Sequence, residues 1–434
     1  MTAPARVRWV ALAAAAAGVL LAPFSWTAGR DETYAIVGAR VMPVSGPVLE
    51  NGTVVMRGGL IESVGATVVV PSGARVLEGR GLTLTPGLID GFGGMGLPAA
   101  SPRPSPAAGA REAAAPAGLA PERLALERVR VADALKARDD GVTTVLVVPP
   151  EGVLPGRSVL LNLSGDDAQG MVLRQPAALH VHMATLSGRY PNSLMGTMAL
   201  VRQALLDAVR YREEWAAYEK SPAGRRRPVY DASLEAWGEV TAGRLPLVVT
   251  ASRENDLRRA LALADEFKVR VIVAGAPHAA RLADQVKARK LPLLVSVNFD
   301  PPRAVSAFAA PDEEKERKDI EEAERNPAAL HAAGVPFALV SGHAPSFLAG
   351  IRTAIARGLP PEAALRAVTL GAAEVLGIAD RTGSLEPGKI ANVVAWSGDP
   401  LAREAKVEMV FADGALHEPD RRPPPTPAPS EAER

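Results

Sequence analysis

The sequence predicts an α/β protein in which a barrel of alternating strands and helices is joined to a smaller β-rich unit built from both chain ends. Apolar segments such as "GVTTVLVVP", "VRVIVAG" and "VPFALVSG" are hydrophobic throughout, which is typical of parallel strands covered on both faces. Helical segments alternate with them. Short β-type segments, separated by Gly and Pro, precede and follow this region, so one composite sheet should close around the barrel.

The first β-type region runs from Tyr34 to about Thr85 and contains "GTVVMRGGLIESVG", and the second follows Asp380 and contains "GSLEPGKIANVVAWSGDP". Between the barrel strands, helices carry apolar stripes, as in "ENDLRRALALADEF", and Gly377 follows another such stripe where a left-handed helix cap belongs. These stripes indicate core packing.

The patterns divide the chain into five parts. We predict a signal peptide over 1–29, the first part of the composite β-sandwich over 30–85 and the barrel over 86–378. The second part of the sandwich follows over 379–418, and a disordered Pro-rich tail over 419–434.

The N-terminus has the layout of a secretory signal. Arg6 and Arg8 precede an apolar run over 9–22 that is short for a bilayer span, and small residues follow it. We expect export, to the periplasm. The alternative is an uncleaved N-terminal anchor, because Trp26 fits a cleavage position badly.

Composition excludes several classes of function. The 49 basic and 48 acidic residues give a formal charge of +1, with no long block of one sign, so no nucleic-acid partner and no anionic membrane surface is indicated. No membrane span is expected apart from the signal segment. The chain has no cysteine, which excludes disulfides, thiolate ligands and a cysteine nucleophile.

Several longer segments resemble one family. "ARVLEGRGLTLTPGLID", "DDGVTTVLVVP" and "ALRAVTLGAAEVLGIADRTGSLEPGKIANVVAWSGDPL" are similar to the amidohydrolase superfamily, on the branch of imidazolonepropionase-like enzymes. The resemblance covers about residues 34–416. It implies a metal-dependent (β/α)8 barrel of the TIM type with a composite β-sandwich, and hydrolysis of carbon–nitrogen bonds other than peptide bonds.

The positions at which the family carries metal ligands hold other residues here. The resemblance implies a His-x-His after "PGLID", where the chain has Phe92 and Gly94, a later His where it has Thr250, and a final Asp where it has Gly342. None of these side chains suits a divalent metal of the family's type. A carboxylated Lys of some relatives has no evident counterpart, although Asn162 lies in a comparable segment.

A rebuilt metal site is the alternative. His180 and His182 in "ALHVHMA" have the alternation by which a strand presents two imidazoles to one ion, and His343 directly follows the lost Asp position. Zinc or another divalent metal is expected only if these histidines bind it. The nearby Ser341 and His343 make a poor nucleophile and base pair, because no nucleophile elbow is present.

Five residues are candidates for a pocket at the barrel mouth: Asp90, Asn162, Arg189, Tyr190 and His278. Asp90 also has a structural interpretation, in which its carboxylate binds backbone groups and braces the first barrel strand.

The sequence therefore predicts an exported, non-catalytic homologue whose inherited metal site is lost. It would form homo-oligomers or pair with an active paralogous amidohydrolase. The alternative is an active C–N hydrolase with a relocated metal, so enzymatic activity stays an open question at this point.

Overall fold

The computed structural model describes residues 32–94, 96–97, 118–150, 152–299, 313–343 and 346–419. The predicted signal peptide and nearly all of the predicted tail lie outside these residues, so both stay predictions.

The described chain forms a β-rich start, an α/β middle and a β-rich end. Its strands are β1 (Tyr34–Val41), β2 (Leu49–Arg57), β3 (Leu60–Gly65), β4 (Arg75–Glu78), β5 (Thr83–Pro86), β6 (Leu88–Gly93), β7 (Val142–Val147), β8 (Gly156–Arg157), β9 (Val159–Asn162), β10 (Val172–Arg174), β11 (Leu179–His182), β12 (Leu247–Ala251), β13 (Val271–Gly275), β14 (Leu293–Ser296), β15 (Phe337–Val340), β16 (Val393–Trp396), β17 (Val407–Ala412) and β18 (Ala415–His417). Its α-helices are α1 (Val131–Leu135), α2 (Leu194–Lys220), α3 (Ala232–Thr241), α4 (Glu254–Phe267), α5 (Ala283–Ala288), α6 (Glu313–Ala332), α7 (Phe347–Ala356), α8 (Pro361–Ala367) and α9 (Leu370–Leu376).

The composite β unit contains strands from both chain ends, as predicted. Hydrogen bonds join β18, β17, β16, β5, β1, β2 and β3 into one continuous sheet, and β4 pairs with β1. The strand β1 pairs with β4 over its first half and with β5 over its last two residues, because irregular pairing with β2 bends it. The sheet thus curls around its own apolar core, which includes Ile36, Leu84 and Phe411.

The barrel is built from two sheets. One has the order β10-β9-β7-β6 and the other the order β15-β14-β13-β12-β11-β8. The strands β6, β7 and β11 to β15 all run in the same direction. Between β7 and β11 lie β9 and β8, which run in the opposite direction, because β9 pairs antiparallel with β7 and β8 pairs antiparallel with β11. A short connection without a crossover helix links β7 to β8, and such a connection returns the chain in the opposite direction.

Side chains alternate across the barrel wall. On β12 to β14, Val248, Ile272 and Leu294 belong to the inner core, while the residues before and after each of them pack outward against the helices. This arrangement places His180 inside the barrel, because Leu179 and Val181 on the same strand point outward.

The barrel closes between β6 and β15 without a regular ladder. The backbone N–H of Gly342 donates to the carbonyl of Phe92 at 3.1 Å, and Ser341 contacts Asp90. None of the described helices combines the length and the apolar character needed to cross a bilayer.

Candidate functional site

The candidate site lies where the barrel strands end, at the mouth that β6, β11, β12 and β15 surround. Phe92 on β6 is 5% exposed and belongs to the inner barrel core. Its ring centroid lies 6.0 Å from that of His180 and 5.6 Å from that of His343. An aromatic ring packed against two imidazoles therefore occupies the position at which the resemblance implies the first ligand.

At the second inherited position, the neighbouring imidazole covers Gly94. A Cβ atom on Gly94 would lie 2.7 Å from Cδ2 of His343 and 3.1 Å from its Nε2. The residue His343 adopts a left-handed φ of 67° that is uncommon for a side-chain-bearing residue. A ligand side chain at position 94 would require this imidazole to move.

Gly342 stands where the resemblance implies the family's last ligand, an aspartate. Its φ of 57° favours glycine, and a Cβ there would overlap Oγ of Ser296 and lie 2.8 Å from that residue's Cβ. Ser296 in turn accepts a hydrogen bond from the backbone N–H of Asn298 at 3.0 Å. The surrounding structure thus fits glycine and disfavours any carboxylate at this position.

Thr250 stands beside His182 in the pairing of β12 with β11. The hydroxyl oxygen of Thr250 is buried and has no partner among the described residues. On β13, Gly275 has a φ of 89°, and a Cβ on it would lie 2.8 Å from the carbonyl oxygen of Ala251. This strand end therefore presents no metal-binding side chain at Ala274 or Gly275.

The two histidines of β11 are neutral near pH 7. Burial and the neighbouring imidazoles lower the pKa of His180 well below its ordinary value, and burial lowers the pKa of His182 to about 4. Nδ1 of His182 lies 3.1 Å from the carbonyl oxygen of Gly152, and since a carbonyl only accepts, Nδ1 carries the proton. Its Nε2 is then a lone-pair acceptor without a described partner, and both ring nitrogens of His180 also lack one.

Asp90 is fully buried and accepts three hydrogen bonds. The backbone N–H of Ser341 and that of Phe92 donate to Oδ1 at 2.9 and 3.3 Å, and the Ser341 hydroxyl donates to Oδ2 at 2.6 Å. Burial raises the pKa of this carboxyl, while the three donors oppose the rise. Because the Ser341 hydroxyl donates to Asp90, it is not available as a donor to His343.

The other pocket candidates do not meet at the mouth. Asn162 ends β9 at the opposite face of the barrel, where its Oδ1 accepts from the side-chain amide of Asn392 at 2.7 Å, so it ties the barrel to the composite sheet. The hydroxyl of Tyr190 donates to the Gly196 carbonyl at 3.0 Å beside the start of α2. Arg189 is exposed in the same loop.

His278 follows β13 and faces helix α6, with Nδ1 3.7 Å from a carboxylate oxygen of Glu322. It is separated in the fold from the histidines of β11. The structure therefore brings together Phe92, His180, His182, Thr250 and His343 but leaves the loop residues apart from them.

The donor set does not fit the divalent metal that the family fold implies. Across the described ranges, no three His, Cys, Asp or Glu side chains are placed to hold a metal ion. Phe92 packs against both His180 and His343, so an apolar ring takes up part of the space beside these imidazoles. A metal bound by His180, His182 and His343 stays a prediction.

Two residues that shape the site were not predicted from the sequence. Ser296 closes the space beside Gly342, and the carbonyl of Gly152 fixes the tautomer of His182. No sequence signal singles out either residue, because one acts through a cross-strand contact and the other through its backbone.

Comparisons with known proteins agree with the fold. A model described as the amidohydrolase family matches residues 253–416. A crystal structure of an amidohydrolase from Thermotoga maritima superposes with a TM-score of 0.77 at 24% identity, covering 88% of this chain and 99% of that one. Residues 253–416 thus match the amidohydrolase family, and the chain as a whole shares its fold with that solved amidohydrolase. The predicted barrel with its composite β unit is confirmed.

Two curated relatives match over short segments. An imidazolonepropionase from Erwinia tasmaniensis is 56% identical over 54 residues, and the amidohydrolase tasK from Hapsidospora irregularis is 42% identical over 57 residues. These matches cover 12% and 13% of this chain, and 12% and 6% of the relatives' own lengths.

Proposed function

We propose that this protein is a non-catalytic amidohydrolase homologue that uses the barrel as a binding module. The observation that carries the proposal is Phe92, whose buried ring packs against His180 and His343 at the position where the resemblance implies the family's first ligand. Hydrolysis in the family needs a metal that activates water, and an open zinc site needs about three ligands. Phe92, Gly94, Thr250 and Gly342 supply no such set.

The surroundings of the replaced positions support the same conclusion. His343 covers Gly94, and Ser296 fills the space beside Gly342. A His at position 94 or an Asp at position 342 therefore meets a steric conflict. At these two positions the packing of the mouth itself disfavours a ligand, so single substitutions there do not restore a metal site.

A second function, C–N hydrolysis with a relocated metal, is favoured by one observation. His182 donates Nδ1–H to the Gly152 carbonyl, which is the support that metal-bound histidines usually have, and its Nε2 lone pair is free of described partners. In such a site His180, His182 and His343 would hold the ion, and it would lower the pKa of a bound water.

Metal content separates the two functions. The purified protein is dialysed against zinc, then against metal-free buffer, and its metal content is measured by elemental analysis. We expect far less than one ion per chain, and no turnover of amide or lactam substrates. Stoichiometric zinc that is lost in His182→Ala and retained in the exposed control His331→Ala would contradict the non-catalytic proposal and establish the relocated site.

We also propose export, and assembly with itself or with an active paralogue. The basic and apolar N-terminal segment supports export. Mass spectrometry of the chain from a cell fraction of the native host gives its N-terminus, and light scattering gives its mass in solution. A full-length chain in the cytoplasmic fraction would contradict export, and a strictly monomeric protein that does not co-purify with a paralogue would contradict assembly.

A further inference from the structure

A concavity lies at the face of the barrel opposite to the mouth. It has a volume of about 640 Å³, within the range of small-molecule sites. Pro292 and Pro336, which directly precede β14 and β15, contribute to its floor, and Leu365 and Val375 of α8 and α9 form one wall. Met42 and Val44 of the composite unit form the other wall.

The backbone at Val44 supports a role for this concavity. Its φ of 70° is a left-handed conformation that β-branched residues rarely adopt, since the Cβ branches crowd the backbone. The side chain nevertheless packs between the apolar core and the concavity. Strain of this kind persists where neighbouring structure enforces it, and it often accompanies a binding surface.

Charges of both signs lie at the rim. Arg366 and Glu374 form an ion pair at 2.8 Å and so neutralise each other. Lys290 and Glu362 also line the concavity, and within the described ranges neither side chain forms an ion pair or a side-chain hydrogen bond. Of the described residues at the edge of this apolar interior, Lys290 and Glu362 thus carry unpaired charges, and the exposed imidazole of His331 lies in the same lining.

We propose that this concavity binds a small zwitterion with an apolar body, namely an apolar dipeptide with free termini. The carboxylate of the ligand pairs with Lys290, its ammonium group pairs with Glu362, and its side chains pack against Val44, Leu365 and Val375. A monoanion would satisfy only the lysine and would face the glutamate, and a neutral ligand would leave both charges unpaired. This binding is independent of the barrel mouth and of any metal.

Calorimetric titration with leucylphenylalanine tests the proposal on the full chain. We expect saturable binding that weakens about fivefold in Lys290→Gln and in Glu362→Gln, the scale of an exposed ion pair. Lys268→Gln is the matched control for the lysine, because Lys268 also has a left-handed backbone after a helix. Glu313→Gln is the control for the glutamate, because both residues lie in the first turn of a helix.

Ligand analogues and a second variant keep the test decisive. N-acetylation should remove the dependence on Glu362, and amidation should remove the dependence on Lys290. Ala363→Trp should fill the concavity and abolish binding, with thermal unfolding measured to verify that the variant folds. Decanoate binding as tightly as the dipeptide, equal affinity in both charge variants, or no heat at millimolar peptide would overturn the proposal.

Discussion

Ser341 donates both its backbone N–H and its hydroxyl to the carboxyl group of Asp90, at 2.9 and 2.6 Å. Asp90 lies in the first strand of the barrel, Ser341 directly follows the last one, and the two are 251 positions apart in sequence. No regular ladder joins these strands, so this pair and the bond from Gly342 to Phe92 close the ring. Asp90 of the "PGLID" segment thus helps to close the barrel.

Removing the Ser341 hydroxyl should destabilise the fold. We expect Ser341→Ala to lower the free energy of unfolding by about 1–2 kcal/mol, because a buried acceptor on Asp90 loses its donor. Urea denaturation followed by circular dichroism measures the change. Ser63→Ala on β3 is the matched control, and an equal effect in both variants would contradict a special role for the Asp90 contact.

Phe92 should contribute to stability as a core residue. We expect Phe92→Ala to lower the free energy of unfolding by about 3–5 kcal/mol, because the ring is 5% exposed and its loss leaves a cavity. The half-buried Phe267 at the end of α4 provides a control, for which a smaller loss is expected. Stability that is unchanged by Phe92→Ala would show that the mouth is open rather than filled.

Side chains at position 342 should be poorly tolerated. Gly388 also has a positive φ, but a Cβ there meets no atom within 4 Å, so Gly388→Ala measures the backbone strain alone, about 1 kcal/mol. We expect Gly342→Ala to cost about 1–3 kcal/mol more, because the added carbon overlaps Ser296. Thermal or urea unfolding of both variants gives the difference.

The clash predicts a rescue. Ser296→Gly removes the overlapping atoms, so in this background the extra cost of Gly342→Ala should fall towards that of Gly388→Ala. Strictly additive effects of the two substitutions would show that Ser296 is not the cause.

The neutral histidines predict a pH dependence of stability. His180 and His182 have pKa values lowered by burial, that of His182 to about 4, whereas both titrate near 6.5 when unfolded. Between these values the unfolded chain binds more protons than the folded one. The contribution of each neutral histidine to the free energy of unfolding is therefore complete above pH 6.5. It is lost as pH falls, by up to about 1.4 kcal/mol per pH unit for each residue.

Variants separate this effect from that of Asp90. Burial raises the pKa of Asp90, so the contribution of this carboxyl to the free energy of unfolding is present at low pH and is lost as pH rises through its folded pKa. Its pH dependence is therefore opposite in sign to that of the two histidines. We expect His180→Leu to flatten the acid side of the stability curve. It should also stabilise the fold by about 1 kcal/mol at pH 7, because two unpaired buried nitrogens are removed. Denaturation at a series of pH values, with His331→Ala as the exposed control, measures both effects.

Local sequence patterns determined the architecture of this protein. Apolar runs with intervening helical stripes were enough to predict the barrel, and β-type segments at both ends were enough to predict the composite unit. These features depend on residues close together in the chain, which set the periodicity and the burial of each element. The residue types Phe92, Gly94, Thr250 and Gly342, at positions where the resemblance implies metal ligands, could also be read directly from the sequence.

Contacts between distant strands decided the rest. The single antiparallel position at β8 and β9, the packing of Phe92 against two imidazoles, and the Asp90 bond to Ser341 each join elements far apart in sequence. Asn162 illustrates the limit, because its neighbour in space is Asn392, and no local pattern indicates that pair. The sequence therefore tells which side chains stand at the mouth, whereas only the tertiary structure determines which atoms fill the space around them, since packing depends on all strands together.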